Sequence, residues 1–344
     1  MTDDQTTRAG SLWWTLTKRG LLLALFAAAM YSLAPLLVDV FSSARDLGDI
    51  TLWWFAVMVA LEGGSFAAAW GLARLAVPGL GWGVASMAQL AGNSASRVFP
   101  GGAVVAGALY YRMLTRAGTE PGRAAAALTV NALISNVVLL ALPATAGVIA
   151  AVSAPLPAGL VPVAVGGVVL FAGLLAVGLV AALFDAPLRW ATRVIGFVVS
   201  RVAALRRRTV VVSPESVLAR RDEVLAALGP RWLRAVVFAA LNWLLDYLVL
   251  VAALYAVGAR PRLSIVLVAY SSAAVLAMIP ITPGGLGFVE AGLTATLTAA
   301  GVPVSRALLA TLAYRLVAFW LPIPAGGGAY LVFRKRYPEA GPRT

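Results

Sequence analysis

Glu62, Arg97, Asp246, Glu290 and Arg315 stand inside long apolar runs of this sequence. A charge at such a place costs several kcal/mol unless it is paired or wetted, which makes each one a candidate for function. The chemistry open to this set is ion pairing, anion binding and proton carriage. Other chemistry is excluded by composition: the 344 residues include no His and no Cys. That removes Ser-His nucleophiles, histidine-held zinc or haem, and thiolate sites. No Asp-x-Asp cluster and no Gly-Lys-Ser/Thr phosphate cradle occurs, so neither a metal nor a cofactor is expected, and the chain does not read as an enzyme. For every one of these charges the competing reading is a structural ion pair or a side chain snorkelling to the interface, and for Arg112 and Arg315, nearer helix ends, snorkelling weighs more. Asn93, Asn131, Asn136 and Asn242 read as polar contacts between helices.

These side chains lie around a repeated turn. Pro100-Gly101-Gly102 returns as Pro283-Gly284-Gly285, Gly118 as Gly301 and Arg123 as Arg306, each after 183 positions. A shared offset points to a duplicated unit. Arg97 falls one turn before the first tip, and Glu290 about two turns beyond the second.

Elements that position these residues follow from hydropathy. Hydrophobic residues make up 61% of the chain and charged ones 12%, well outside the soluble range, so this is an integral membrane protein. Full spans are expected at about 20–41, 50–77, 124–142, 159–184, 235–257 and 307–333. The two stretches around the Pro-Gly-Gly turns differ from these. Their arms, about 83–99 with 103–114 and 264–279 with a partner ending near 300, are about 15 residues each. A crossing of about 30 Å needs roughly 20 residues, so the arms read as re-entrant helical hairpins.

Loop charge sets direction. Net charge is +13, and ten arginines fall in 185–234 against four acids. An excess of that kind beside apolar spans marks the cytoplasmic side and not nucleic-acid binding. The domains are then a cytoplasmic tail at 1–19, a first membrane half at 20–184 with its hairpin near 83–116, a basic cytoplasmic linker at 185–234, a second half at 235–333 with its hairpin near 264–300, and a basic tail at 334–344. Within the linker, Ser213-Pro214-Glu215 predicts the start of an interfacial helix. Both termini are expected to be cytoplasmic. Three full spans separate the hairpins, so one opens inward and the other outward. The expected fold is an all-α polytopic membrane protein, an inverted-topology repeat with two re-entrant hairpins and about six full spans.

Half-helix N-termini after each Pro-Gly-Gly would aim unpaired N–H groups into the membrane, a site suited to phosphate, with Arg97 adding a full charge. The candidate binding set is Arg97, Pro100, Gly101, Gly102, Pro283, Gly284, Gly285, Glu290, Glu62, Asp246 and Arg315. The carboxylates offset positive charge, meet a cationic headgroup or carry a proton.

The run from Ile279 through Pro280-Ile281-Thr282-Pro283-Gly284-Gly285-Leu286-Gly287-Phe288-Val289-Glu290 to Ala291, then Gly301-Val302 and Tyr314-Arg315-Leu316 before Trp320, resembles the C-terminal signature of the lysylphosphatidylglycerol synthase transmembrane (flippase) family. Phe99-Pro100-Gly101-Gly102 and the stretch from Leu114 to Gly118 are similar to the family's earlier motif. The resemblance implies a bacterial or archaeal cytoplasmic-membrane domain that moves lipids between leaflets, here as a stand-alone member without the aminoacyl-transferring synthase. It leaves the cargo open.

Lipid flipping through a central polar cavity therefore leads. An ion-coupled carrier of a small solute fits the inverted repeat as well, and a carboxylate-dependent lipid-modifying membrane enzyme is a third class. Partners read from the sequence are membrane lipids, with a separate lipid-modifying enzyme and a second copy of the chain as further candidates, and no nucleic acid.

Overall fold

The structure is a computed structural model that describes residues 52–99, 102–153, 161–205, 213–219, 222, 229–278 and 283–338. The expected N-terminal tail and first span lie outside the described residues. Every regular element among those described is helical, as lipid demands of a chain whose backbone groups must bond internally. In order they are α1 (Leu52–Ala76), α2 (Trp82–Val98), α3 (Gly102–Arg116), α4 (Pro121–Ser153), α5 (Val161–Leu183), α6 (Asp185–Leu205), α7 (Trp232–Ala256), α8 (Leu263–Leu276), α9 (Phe288–Ala299), α10 (Val304–Arg315) and α11 (Pro322–Arg336). A short helix at 214–219 lies between α6 and α7, and Ser213 Oγ accepts the N–H of Ser216 at its start.

Among the described residues, four stretches are long and apolar enough to cross a bilayer: Trp53–Ala76, Pro121–Ala150, Gly229–Ala256 and Val304–Arg336. The chain is thus a multi-pass membrane protein. Helix α5, with 23 residues and no charge, occupies the stretch expected to span at 159–184.

Three boundaries differ from the expected ones. Helix α4 does not stop before Pro143 but runs 33 residues through it. Proline removes one backbone donor, a loss that membrane helices absorb where neighbouring helices re-satisfy the freed group. The basic stretch after 184 begins with a 21-residue helix, α6. That stretch is expected as a basic cytoplasmic linker with an interfacial helix, and Leu188, Ile195, Val198 and Val202 recur in it at helical spacing. The closing span is helical but interrupted, since a π-helical turn at Leu316–Trp320 separates α10 from α11.

Helices α2 and α3 have 17 and 15 residues, α8 and α9 14 and 12. At 1.5 Å per residue none reaches the roughly 30 Å of hydrocarbon. The offset of 183 positions persists in the backbone. Gly118 donates to Thr115 O and Thr119 to Leu114 O, closing α3; Gly301 donates to Thr298 O and Val302 to Leu297 O, closing α9. Both glycines are left-handed, at φ 93° and 90°, the conformation that such a C-terminal motif requires. The next helices start in register too, α4 at Pro121 and α10 at Val304. Glu120 caps α4: Gly122 and Arg123 donate their backbone N–H to its carboxylate, and these bonds hold its carboxyl below the usual range.

Small residues let the helices approach. Helix α1 lies along α7, with Gly71 against the Phe238 ring and Gly64 facing Leu245. Helix α11 lies along α2, where a side chain on Gly326 would overlap the Leu90 carbonyl and Ser94 donates to Ile323 O at 2.9 Å. Large apolar side chains such as Trp53, Val104, Leu133 and Val152 face outward.

Candidate functional site

The last turn of α2 carries Arg97, whose Nη1 donates to the carbonyl of Phe319 at 2.7 Å. Phe319 lies in the π-helical turn, where Leu321 donates to Leu316 O. Pro322 and Pro324 lack the N–H groups that would continue an α-helical ladder, and the wide turn is one way to pass such residues. The Phe319 ring serves two cations: Arg315 Cζ is 3.9 Å and Arg97 Cζ 5.3 Å from its centroid. Arg315, at the end of α10, is also bound to the second short-helix pair. Its Nε donates to Glu290 Oε1 at 2.6 Å and its Nη2 to Gly284 O at 3.2 Å.

Gly284 explains why the second turn needs glycine. Its φ is +61°, and a Cβ there would overlap the Phe319 ring and stand 3.5 Å from Arg97 O. The second Pro-Gly-Gly turn therefore meets the end of α2. At the first turn, a Cβ on Gly102 would collide with the Ser96 carbonyl.

A carboxylate group completes the cluster. Asp246, in the middle of α7, accepts on one oxygen, Oδ2, from Tyr270 at 2.5 Å and Tyr314 at 2.8 Å. Glu62 of α1 is 7% exposed. Its carboxyl contacts that of Asp246, and Arg97 is within electrostatic reach of both. Oε2 of Glu62 and Oε2 of Glu290 are buried with no donor among the described residues. One turn from Glu62, Asn242 Nδ2 donates to Ser65 Oγ at 2.7 Å and Ser65 Oγ returns a bond to Asn242 O, an inter-helix contact that fixes α1 against α7.

Of the residues singled out in the sequence, the fold brings together Glu62, Arg97, Asp246, Gly284, Glu290 and Arg315. Gly285 lies in the same tip at φ 70°, Pro283 opens that tip, and Gly102 starts α3. Pro100 and Gly101 lie outside the described residues. Arg112 is exposed. One expectation about the helix ends needs correcting. The return arm starts at Phe288, with Gly287 at φ 78° before it, so Glu290 sits in the first turn of α9. The positive end of that helix already faces a carboxylate of its own. Sequence reading missed the roles of Tyr270, Tyr314 and Phe319. A tyrosine within an apolar helix needs a partner for its hydroxyl, and that signal would have tied both tyrosines to the acid at 246.

No curated protein matches the chain. The family model described as the lysylphosphatidylglycerol synthase TM region matches residues 20–326, taking in both short-helix pairs and every member of the cluster. The chain belongs to this lysylphosphatidylglycerol synthase transmembrane family.

Proposed function

We propose that this protein is a lipid flippase-like transporter, moving a phospholipid or lipid-linked intermediate between leaflets of a bacterial or archaeal cytoplasmic membrane. In this reading the two halves are inverted copies, α2–α3 and α8–α9 are re-entrant hairpins entering from opposite faces, both termini are cytoplasmic, and the chain carries its cargo without transforming it. The observation that carries the reading is the meeting of Arg97 from one short-helix pair with Gly284 and the Arg315–Glu290 pair from the other half. Among the described residues no carboxylate forms an ion pair with Arg97, whereas Arg315 is taken by Glu290. A guanidinium so placed offers two-pronged hydrogen bonding to a phosphodiester. Inverted repeats with broken helices meeting inside the bilayer are a transporter plan, since two near-equivalent halves exchange which side is open. Family membership and the apolar surface make a lipid the fitting anion.

The test is dithionite quenching of fluorescent phosphatidylglycerol in vesicles containing the protein. Wild type should expose inner-leaflet probe; Arg97→Gln should not, and Arg97→Lys should recover part of the rate. Flipping by Arg97→Gln at the wild-type rate would overturn the reading.

A further inference from the structure

The buried cluster holds two guanidinium groups, Arg97 and Arg315, and three carboxyl groups, Glu62, Asp246 and Glu290. Arg315 and Glu290 cancel each other. Arg97 is then left facing two carboxyls that touch, so the set is neutral only when the pair holds one proton. Uncompensated charge in lipid is costly, and two ionised carboxylates in contact repel. The geometry also shows where a proton has a place. Oδ2 of Asp246 already takes two tyrosine hydroxyls, while Oε2 of Glu62 has no donor among the described residues.

Every element packed on α1 agrees with that count. Helix α7 contributes Asp246, α2 contributes Arg97, the π-helical turn has no titratable side chain, and α4 has only Arg123, in its first turn. Tyr270 and Tyr314 reach the pair from α8 and α10 through Asp246, and Arg315 lies beyond them, beside Tyr314 and Arg97.

We propose that the Glu62–Asp246 pair is a proton site coupled to the anion site at Arg97: an anionic headgroup that engages Arg97 withdraws its compensating charge, and the pair takes up a further proton. The proposal rests on the anion-binding reading above and adds the coupling ion to it. A phosphodiester and a proton would then cross the cluster together, and the site would return empty with one proton fewer.

Two measurements on the full chain in detergent separate the two ideas. Calorimetry follows binding of dihexanoyl phosphatidylglycerol, and a pH dye in weak buffer follows protons. Wild type should take up about one proton per probe bound. The double variant Glu62→Gln/Asp246→Asn should lower that uptake at least severalfold, while each single variant keeps one carboxylate near Arg97 to take the proton and should retain uptake near the wild-type value. Binding without uptake in wild type, or unchanged uptake in the double variant, overturns the proton proposal and leaves the anion site standing. Absence of probe binding overturns the anion site and the proton proposal with it.

Discussion

Arg315 Nε lies 2.6 Å from Glu290 Oε1, and this pair ties the return arm of the second short-helix pair to the closing span. Both side chains are largely withdrawn from solvent, at 8% and 17% exposure. Removing one partner strands the other's charge, whereas removing both does not. Glu290→Gln or Arg315→Met alone should destabilise the detergent-solubilised protein by about 3 kcal/mol, and the double variant by less than either. Thermal unfolding of the three variants checks this.

Gly284→Ala meets two costs at once: about 1–2 kcal/mol for a side chain in the left-handed region, and overlap with Phe319. Trimming the ring relieves only the second. Gly284→Ala should therefore lower the melting temperature sharply, with Gly284→Ala/Phe319→Ala recovering part of the loss relative to Phe319→Ala alone. Additive losses would show that the ring does not confine the turn.

The matched closing turns after α3 and α9 make a quantitative prediction about the repeat. Gly118 and Gly301 have φ values within a few degrees of each other, matching bonds and open space around a notional Cβ. Alanine at either should cost about 1–2 kcal/mol, with the two losses equal within experimental error. Denaturant titration of each single variant is the measurement.

Tyr270 and Tyr314 both donate to one oxygen of Asp246, so either leaves the carboxylate served when the other is removed. Tyr270→Phe or Tyr314→Phe should each cost about 1 kcal/mol, and the double variant more than the sum, because it leaves Asp246 without a hydroxyl donor. A double-variant unfolding cycle reads the coupling.

Much of this was legible in the sequence because lipid imposes strong rules. Arms too short to cross, the shared offset of the Pro-Gly-Gly turns and the acids lodged in apolar runs each follow from hydropathy and spacing, and the fold gathers those charges. What escaped had local causes. Pro143 reads as a stop when only its missing donor is weighed, and the length of α6 is hidden in a basic linker when its arginines are counted before its apolar period. The function of Phe319 as a shared platform depends on a π-helical turn that brings its ring under Arg315, four residues earlier, and under Arg97 from the distant α2. No one-dimensional pattern encodes that meeting.

The central claim is that the two halves lie upside down to each other. The natural chain has no cysteine, so single thiols report cleanly on sidedness. Arg123→Cys at the start of α4 and Ser305→Cys at the start of α10 are both exposed positions. A membrane-impermeant maleimide applied to right-side-out cells or spheroplasts should label Ser305→Cys and spare Arg123→Cys until the membrane is opened. Labelling of both thiols from the same face would contradict the account.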